Sequence, residues 1–367
     1  MEEKPLSTLE LLRLYDEKRD VYQGFCETVT NLIKRLIEAR SLVVHSISSR
    51  CKGRASLEGK VKKKPKYKSL SEITDLAGVR VITHYSDDVD LVSKIIEEEF
   101  DVDTANSIDK QKALDPDRFG YLSRHYVVSL LATRSQLKEY AIYRDMKVEI
   151  QVRTVLQHAW AEIEHDIGYK IKVEVPDPIK RRFSRLAGLL ELADQEFISI
   201  RDDNLIYAES VEASRAAGYS GIGLDAVSIQ KFVESDPLNR RIFDEMLVLL
   251  DGVEGADNDA SSALVHLSSL GVRTVSELHD QLSFHEKDLI LLIVKMLDDP
   301  SLAAEFTTRD GERVVSLAIP IFMLGHILVA MQGPDKVLEY LRSNGWDKTD
   351  ADEVFKNIML GFCAGHN

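Results

Sequence analysis

The chain has 367 residues, 44% hydrophobic and 29% charged, which is enough for two or three globular domains with apolar cores. The formal net charge of −14 is uneven, because residues 1–200 hold 33 basic and 33 acidic residues while residues 201–367 hold 14 and 28. Three widely spaced cysteines, Cys26, Cys51 and Cys363, argue against a disulfide framework and a cysteine-rich zinc site, and are typical of a reducing compartment.

Two segments of the chain invite comparison with targeting and membrane-spanning sequences. The first ten residues, MEEKPLSTLE, are acidic and polar, so no signal peptide is expected and we predict a cytoplasmic protein. The most apolar stretch, residues 314–331, contains Ser316, Pro320, Gly325 and His326. These residues favour a buried, kinked helix over a membrane span.

The first elements in chain order are expected to be helices. Ser7 and Glu10 match a capping box, and apolar side chains between residues 29 and 37 follow helical spacing, so we expect a helical hairpin at the start of the fold. Residues 50–68 then hold nine basic side chains and the single acid Glu58. Such a run is usually a solvated loop or helix face, and often a contact with a polyanion.

Strand and helix patterns alternate over the next hundred residues. Strands are expected at 79–84, 125–131 and 147–153, with a helix near 87–100. This alternation predicts an α/β (α+β) domain in which helices cover a mixed sheet.

A second region is expected to follow a long helix. Pro178 can start that helix, and the small, polar residues 209–223 are typical of a linker. We therefore predict a first domain at 1–208 and an acidic, all-α domain at 224–367. The second domain contains no motif that indicates chemistry.

Two predicted strands carry charged residues where apolar ones would suffice. Asp75 and Arg80 lie at the entrance of the first strand, and residues 147–154 alternate apolar with polar side chains. The alternation puts an acid, an amide and a base on one sheet face: Glu149, Gln151 and Arg153. Taken alone, this pattern is more typical of an exposed amphipathic strand.

The neighbouring segments add further polar groups. The helix after residue 154 carries His158, Glu162 and His165 on one face. Two histidines seven positions apart are a loose fit to a zinc site, so a hydrogen-bonding helix face is favoured. Before the strand near 125, Gly120 permits close backbone approach and Tyr121 can stack on a base. Two carboxylates for Mg²⁺, basic groups for phosphates and a stacking aromatic suit phosphoryl-type transfer between nucleotides. The sequence lacks a Walker A pattern, so a P-loop enzyme is not expected.

Four segments, in order, resemble the synthetase domain of the RelA/SpoT alarmone synthetases over roughly residues 45–200. They are RCKGRASLEGK, DLAGVRV, FGYLSRHYVV and EIQVRTVLQHAWAEIEH. The resemblance implies a nucleotidyltransferase-like fold and Mg²⁺-dependent transfer of the β,γ-diphosphate of ATP to the 3′-hydroxyl of GDP or GTP. The products would be AMP and the alarmone (p)ppGpp, made for a stringent response or by a growth-arresting toxin.

The resemblance also implies roles for individual residues. Asp75 and Glu149 would be the catalytic acids and would bind Mg²⁺, and Glu149 could instead accept the proton of the 3′-hydroxyl. Arg50 and Arg80 would sandwich adenine, and the ATP phosphates would be bound by Lys52, Ser56 and Lys60. Tyr121 would stack on the acceptor base, and the rest of the acceptor cleft would consist of His125, Gln151, Arg153, His158 and Glu162.

Several alternatives remain open. The segment KALDPDRFGY departs from the housekeeping enzymes, so adenosine nucleotides or the 3′ end of tRNA are alternative acceptors, and the basic run at 60–68 would suit tRNA. A third alternative is an inactive nucleotide-binding module that acts through protein interaction. Because about 45 residues precede the basic run, we expect no hydrolase domain before the synthetase, and a chain that makes the product without degrading it. For residues 224–367 we expect regulation of the synthetase, binding of a protein partner, or a stabilising or homo-oligomerising role.

Overall fold

The computed structural model describes residues 6–63, 67–109, 123–170, 176–303, 313–343 and 349–365. The chain divides into two compact units, Met1–Arg201 and Asp202–Asn367. The division falls inside one continuous helix, Asp177–Ser214, which includes the first residues of the predicted linker. The domain limits of 1–208 and 224–367 stay a prediction.

The first unit contains a sheet and its surrounding helices. Its elements are α1 (Thr8–Glu38), β1 (Ser46–Cys51), α2 (Arg54–Lys63), β2 (Ala77–Thr83), α3 (Ser86–Glu99), β3 (Phe100–Val102), β4 (Ile108–Asp109), β5 (Arg124–Leu130), α4 (Ala132–Ser135), β6 (Val148–Thr154), α5 (Val155–Lys170) and the start of α6 (Asp177–Ser214). Short 3₁₀ turns lie at Leu70–Glu72 and Ala141–Tyr143.

The predicted helical hairpin at the start of the chain is wrong, because α1 is one continuous helix of 31 residues. Ser7 and Glu10 form the expected capping box. The interior Gly24 does not break the helix; a Cβ there would lie 2.8 Å from Tyr143 Oη, so glycine permits close approach at this point. Apolar residues are buried on nearly every turn of α1, which keeps the whole helix on the same core.

The sheet is mixed, as predicted. Its strand order is β1-β2-β6-β5-β3, and β4 also pairs with β5. The central strands β2 and β6 are parallel, whereas β1 pairs antiparallel with β2 and β5 pairs antiparallel with β6. The predicted strands and the helix near 87–100 are found within a few residues of their expected limits.

The two faces of this sheet differ in polarity. Val79, Val81, Ile150 and Val152 are buried on the face that packs against α1 and α3. The opposite face carries polar and charged residues in cross-strand register. One row contains Arg50, Gly78 and Glu149, and the next contains Ser48, Arg80, Gln151 and His125. The predicted alternation along residues 147–154 is therefore confirmed.

The second unit is largely helical. It contains α7 (Ala226–Ser235), α8 (Pro237–Leu250), β7 (Val253–Glu254), α9 (Ser261–Ser269), α10 (Val275–Phe284), α11 (Glu286–Leu297), α12 (Pro300–Ala303), β8 (Val314–Val315), α13 (Ile319–Met331), α14 (Pro334–Ser343) and α15 (Asp350–Gly365). In the described part of this unit, the predicted all-α domain is corrected by the two-residue strands β7 and β8, which pair in parallel.

The most apolar stretch of the sequence forms the buried helix α13, as predicted. Pro320 lies in its first turn, where a missing backbone N–H leaves no helical hydrogen bond unmade, so proline starts this helix instead of kinking it. Among the described residues, no helix combines the length and the apolar character needed to cross a membrane.

Candidate active site

A cleft of about 370 Å³ opens on the polar face of the sheet. It is lined by Ser48, Ser49, Arg50, Lys52, Asp75, Gly78, Val79, Arg80, Glu149 and Gln151. Six of these residues were predicted from the sequence as site residues. The cleft therefore brings together side chains from β1, β2 and β6 and from the segments that flank the first two strands.

Asp75 precedes β2 and forms two ion pairs. Lys52 Nζ lies 2.7 Å from Asp75 Oδ2, and Lys60 Nζ lies 2.8 Å from Asp75 Oδ1. Burial raises the pKa of this carboxyl, but the two ammonium groups outweigh burial and hold the pKa below its usual range. Asp75 is therefore ionised at neutral pH.

Glu149, near the start of β6, is the second acid. Gln151 Nε2 donates a hydrogen bond of 2.6 Å to Glu149 Oε1, and His125 Nδ1 lies 3.3 Å from the same oxygen. Burial and the negative charge of Asp75 raise the pKa of Glu149, whereas His125 and Gln151 lower it more, so the net shift is downward. Two ionised carboxylates thus act on one another electrostatically.

The donor set of the cleft fits a magnesium ion. Mg²⁺ prefers carboxylate oxygens and is commonly bound by one or two protein carboxylates, with phosphates and water completing its shell. Asp75 and Glu149 supply two such groups. Among the described residues, no group of three or more His, Cys, Asp or Glu side chains is arranged to hold a metal by itself.

Three arginine side chains, Arg50, Arg80 and Arg153, concentrate positive charge near Glu149. Arg153 is only 4% exposed, and its Nη2 donates a 3.0 Å hydrogen bond to Gln151 Oε1. Burial and the charges of Arg80 and Arg50 lower the pKa of Arg153 to about 10. Such a cluster of partly buried guanidinium groups favours anion binding.

Helix α5 brings two further predicted residues beside this cluster. Glu162 Oε1 lies 3.2 Å from Arg80 Nη1 and 3.7 Å from His158 Nδ1. Burial and the positive charges of Arg153 and Arg80 lower the pKa of His158. The imidazole is therefore mainly neutral at neutral pH.

Seven of the thirteen predicted residues are not part of the cleft lining. Five of them lie beside it, in contact with lining residues or with each other: Lys60, His125, Arg153, His158 and Glu162. Of the remaining two, Ser56 is exposed in the first turn of α2, and Tyr121 lies outside the described residues. Sequence reasoning also missed Ser48, which continues the polar alternation of β1. It missed Ser123, whose Oγ lies 2.7 Å from His125 Nε2 and helps to orient that ring. The alternation ending at Arg50 would have identified Ser48.

Comparison with known proteins supports an assignment for this unit. Residues 49–174 match the family described as "Region found in RelA / SpoT proteins". The GTP pyrophosphokinase YjbM of Bacillus subtilis is 28% identical over 164 residues, which is 44% of this chain and 73% of that protein. The GTP pyrophosphokinase YwaC of the same organism is 27% identical over 172 residues, covering 46% of this chain and 78% of that protein.

Solved structures also resemble the chain in part. The small alarmone synthetase 1 from Bacillus subtilis, bound to its product pppGpp, shares 25% identity and covers 52% of this chain and 98% of its own, with a TM-score of 0.45. A GTP pyrophosphokinase family protein from Streptococcus pneumoniae shares 27% identity and covers 52% of this chain and 93% of its own, with a TM-score of 0.42. From the family match and the curated relatives, residues 49–174 form a synthetase domain of the RelA/SpoT type.

Proposed function

We propose that the chain is a GTP pyrophosphokinase, which transfers the β,γ-diphosphate of ATP to the 3′-hydroxyl of GDP or GTP and releases AMP. The observation that carries this proposal is the pairing of two ionised carboxylates, Asp75 and Glu149, in one cleft with lysine and arginine side chains. Two relatives of the same domain are named GTP pyrophosphokinases, which supports synthesis of (p)ppGpp in general.

The ATP half of the cleft would be the part lined by basic residues. Lys52 and Lys60 are the closest cations to Asp75. When a triphosphate enters, these ammonium groups can turn from the carboxylate to the phosphates, with Ser56 as a further donor, and Asp75 becomes available to the cation. Arg50 and Arg80 are planar cations on neighbouring strands and would stack on the two sides of adenine.

The acceptor half would be centred on Glu149. This carboxylate would receive the proton of the 3′-hydroxyl, with His125 and Gln151 fixing its orientation. Asp75 and Glu149 would hold Mg²⁺, which neutralises charge on the transferred group and lowers the pKa of a bound hydroxyl. Arg153, His158 and Glu162 would complete the acceptor site, and stacking of Tyr121 on guanine stays a prediction.

The alternative functions predicted from the sequence are tested by the same experiment as the proposal. Within the basic run, Lys60 pairs with Asp75, and Lys62 pairs with Glu58 at 2.7 Å, so these two lysines have partners in the protein. Transfer to adenosine nucleotides or tRNA, and an inactive interaction module, become outcomes of the test. Four further points stay predictions: a function in a stringent response or as a toxin, homo-oligomerisation, a cytoplasmic location, and regulation through residues 224–367.

The test is a transfer assay with γ-labelled ATP and Mg²⁺, in which GDP, GTP, ADP, ATP and deacylated tRNA are offered separately. We expect label on the guanine nucleotides, with one AMP formed for each transfer. Asp75→Asn should reduce the rate by about 10³-fold or more, because it removes a charge that binds the cation. Asp103→Asn is a matched control, since Asp103 is also ion-paired, to Lys147, but lies outside the cleft lining.

The control should keep its rate within about twofold and unfold near the same temperature as the Asp75 variant. Label on tRNA alone, or on adenosine nucleotides alone, would overturn the choice of acceptor. If the folded full chain transferred label to none of the acceptors, the enzymatic function would be wrong. The inactive nucleotide-binding module that acts through protein interaction would then be favoured.

A further inference from the structure

Two cysteines that are 25 positions apart in the sequence meet beside the candidate ATP site. Cys26 lies on α1 and Cys51 is the last residue of β1. Cys26 Sγ is 3.5 Å from the carbonyl oxygen of Arg50, and the Tyr15 hydroxyl is 3.6 Å from Cys51 Sγ. Cys51 is partly buried against the same apolar core that contains Cys26. Both cysteines are free thiols.

The environment makes the two thiols chemically unequal. The neighbouring Cys26 side chain is the main cause that lowers the pKa of Cys51; Tyr15 and the charge of Arg19 act in the same direction, and burial opposes them. The neighbouring Cys51 side chain and burial raise the pKa of Cys26. Cys51, which is half-buried, therefore loses its proton more readily than Cys26, which is 2% exposed.

The pair is connected directly to the cleft. Cys51 stands between Arg50 and Lys52, both of which line the cleft. Tyr15, which contacts Cys51, also donates a hydrogen bond to the carbonyl oxygen of Lys52, and Lys52 Nζ holds Asp75. Any displacement of Cys51 therefore also displaces Arg50 and Lys52, two residues of the candidate ATP site.

We propose that hydrogen peroxide converts Cys26 and Cys51 to a reversible disulfide, and that this bond weakens ATP binding in the cleft. The second half of this proposal depends on the proposed function, whereas the first half does not. Transient, regulatory disulfides of this kind are compatible with a reducing compartment.

The chemistry is balanced in two steps. The Cys51 thiolate attacks one peroxide oxygen, the O–O bond breaks, and the products are a sulfenic acid on Cys51 and a hydroxide ion that becomes water. The Cys26 thiol then loses its proton and attacks Cys51 sulfur, so the S–S bond forms as the sulfenic oxygen leaves as water. Two thiols are oxidised and one hydrogen peroxide is reduced to two waters, and a dithiol reductant reverses the change.

The effect on the cleft follows from the new bond between α1 and β1. A disulfide holds its sulfur atoms about 2 Å apart. The bond would tie the end of β1 to α1 and would replace the contact between Cys26 Sγ and the carbonyl oxygen of Arg50. We expect Arg50 and Lys52, on either side of Cys51, to shift with it and to bind ATP less tightly.

The experiment uses the full chain, treated with hydrogen peroxide and then alkylated, with intact mass and peptide mapping under non-reducing conditions. We expect loss of two hydrogen atoms per chain and a linked peptide that contains Cys26 and Cys51. Dithiothreitol should reverse both changes. The Kd for ATP, measured by equilibrium binding of labelled ATP, should rise about tenfold on oxidation and return on reduction.

The variants separate this bond from general oxidation. Cys51→Ser and Cys26→Ala should bind ATP equally before and after peroxide, and alanine is an apolar replacement suited to the buried position. Cys363→Ser removes the third cysteine, which is buried in the second unit, and should keep the full response.

Each outcome decides part of the proposal. Oxidation of Cys51 to sulfinic acid without a linked peptide would overturn the disulfide, as would a response that vanishes in Cys363→Ser. A linked peptide with an unchanged Kd for ATP would overturn the coupling alone. Failure of the reduced chain to transfer diphosphate would refute the proposed function, and the linked peptide would still report on the disulfide.

Discussion

The two faces of the central sheet are built from the same strands but differ in what they contribute. Val79, Val81 and Ile150 on one face are buried against helices, which is the main source of stabilisation in a protein. The other face holds Glu149 and Arg153, charged groups that are costly to bury. The apolar face therefore stabilises the fold, and the polar face carries the candidate chemistry. Adjacent residues of β6, such as Glu149 and Ile150, lie on opposite faces.

The strongest test of this contrast is Glu149→Gln. We expect the rate of diphosphate transfer to fall by about 10³-fold, because the neutral amide can neither bind the cation nor accept a proton. Stability should fall slightly, because the net downward shift of the Glu149 pKa means that the folded protein favours the carboxylate, and the neutral amide loses the charge that faces His125. AMP formation and thermal unfolding measure the two effects.

Glu98→Gln is the matched control, since Glu98 pairs with Arg40 on the exposed surface of α3. Its loss of stability should be small, because both partners of this ion pair are exposed to solvent, and it should keep its rate. If Glu149→Gln retained more than a tenth of the wild-type rate, the polar face would not have the chemical role that we assign to it.

The adjacent residue should behave in the opposite way. Ile150→Ala removes a fully buried side chain and should lower the free energy of unfolding by about 3 kcal/mol. The rate per folded molecule should change little, because Ile150 does not line the cleft. Urea denaturation gives the first quantity, and transfer rates at a temperature where the variant is folded give the second.

Ile150→Val provides a graded control, with an expected loss of about 1 kcal/mol. If Ile150→Ala instead abolished transfer while remaining as stable as wild type, the division of labour between the faces would be wrong.

A smaller effect, with opposite signs for stability and activity, is expected at Arg153. Its Nε is buried without a hydrogen-bond partner among the described residues, and Arg80 and Arg50 repel its charge. Arg153→Met keeps much of the volume and removes the charge, so we expect about 1 kcal/mol of added stability and a tenfold lower rate. Arg153→Lys should restore part of the rate. Equal losses of stability and rate would show that Arg153 is structural.

The sequence predicted much of this arrangement because strand alternation is a local property. The spacing of Glu149, Gln151 and Arg153 was sufficient to place them on one face, and that placement is confirmed. The single helix α1 was not predicted, because a capping box at residues 7–10 and helical spacing at residues 29–37 do not show whether the two segments belong to one helix or to two.

Contacts between distant segments could not be predicted from local patterns. The ion pairs of Lys52 and Lys60 with Asp75 join residues 23 and 15 positions apart, and Cys26 meets Cys51 only because α1 packs against β1. The roles of the site residues stay predictions, because they depend on contacts with substrates and not on strand alternation. Tyr121 stays outside the described residues.

The smallest expected effect concerns pH and the edge of the polar face. Burial and the charge of Arg153 lower the pKa of His158 in the folded protein, so the unfolded chain binds this proton more readily. His158 therefore contributes stability above its unfolded pKa of about 6.5, and the contribution is lost as the pH falls toward the lower, folded value. The side chain is 27% exposed, so the loss should stay below about 1 kcal/mol.

Comparison of wild type with His158→Gln isolates this contribution from other groups that titrate in the same range. The free energy of unfolding, measured in urea from about pH 8 to about pH 5.5, should fall more steeply with acid in wild type than in the variant. Parallel curves would mean that Glu162, 3.7 Å from His158 Nδ1, stabilises the protonated ring enough to cancel burial and the arginine charge. In that case, protonation of His158 would lower the free energy of unfolding no more than protonation of a histidine on an exposed surface.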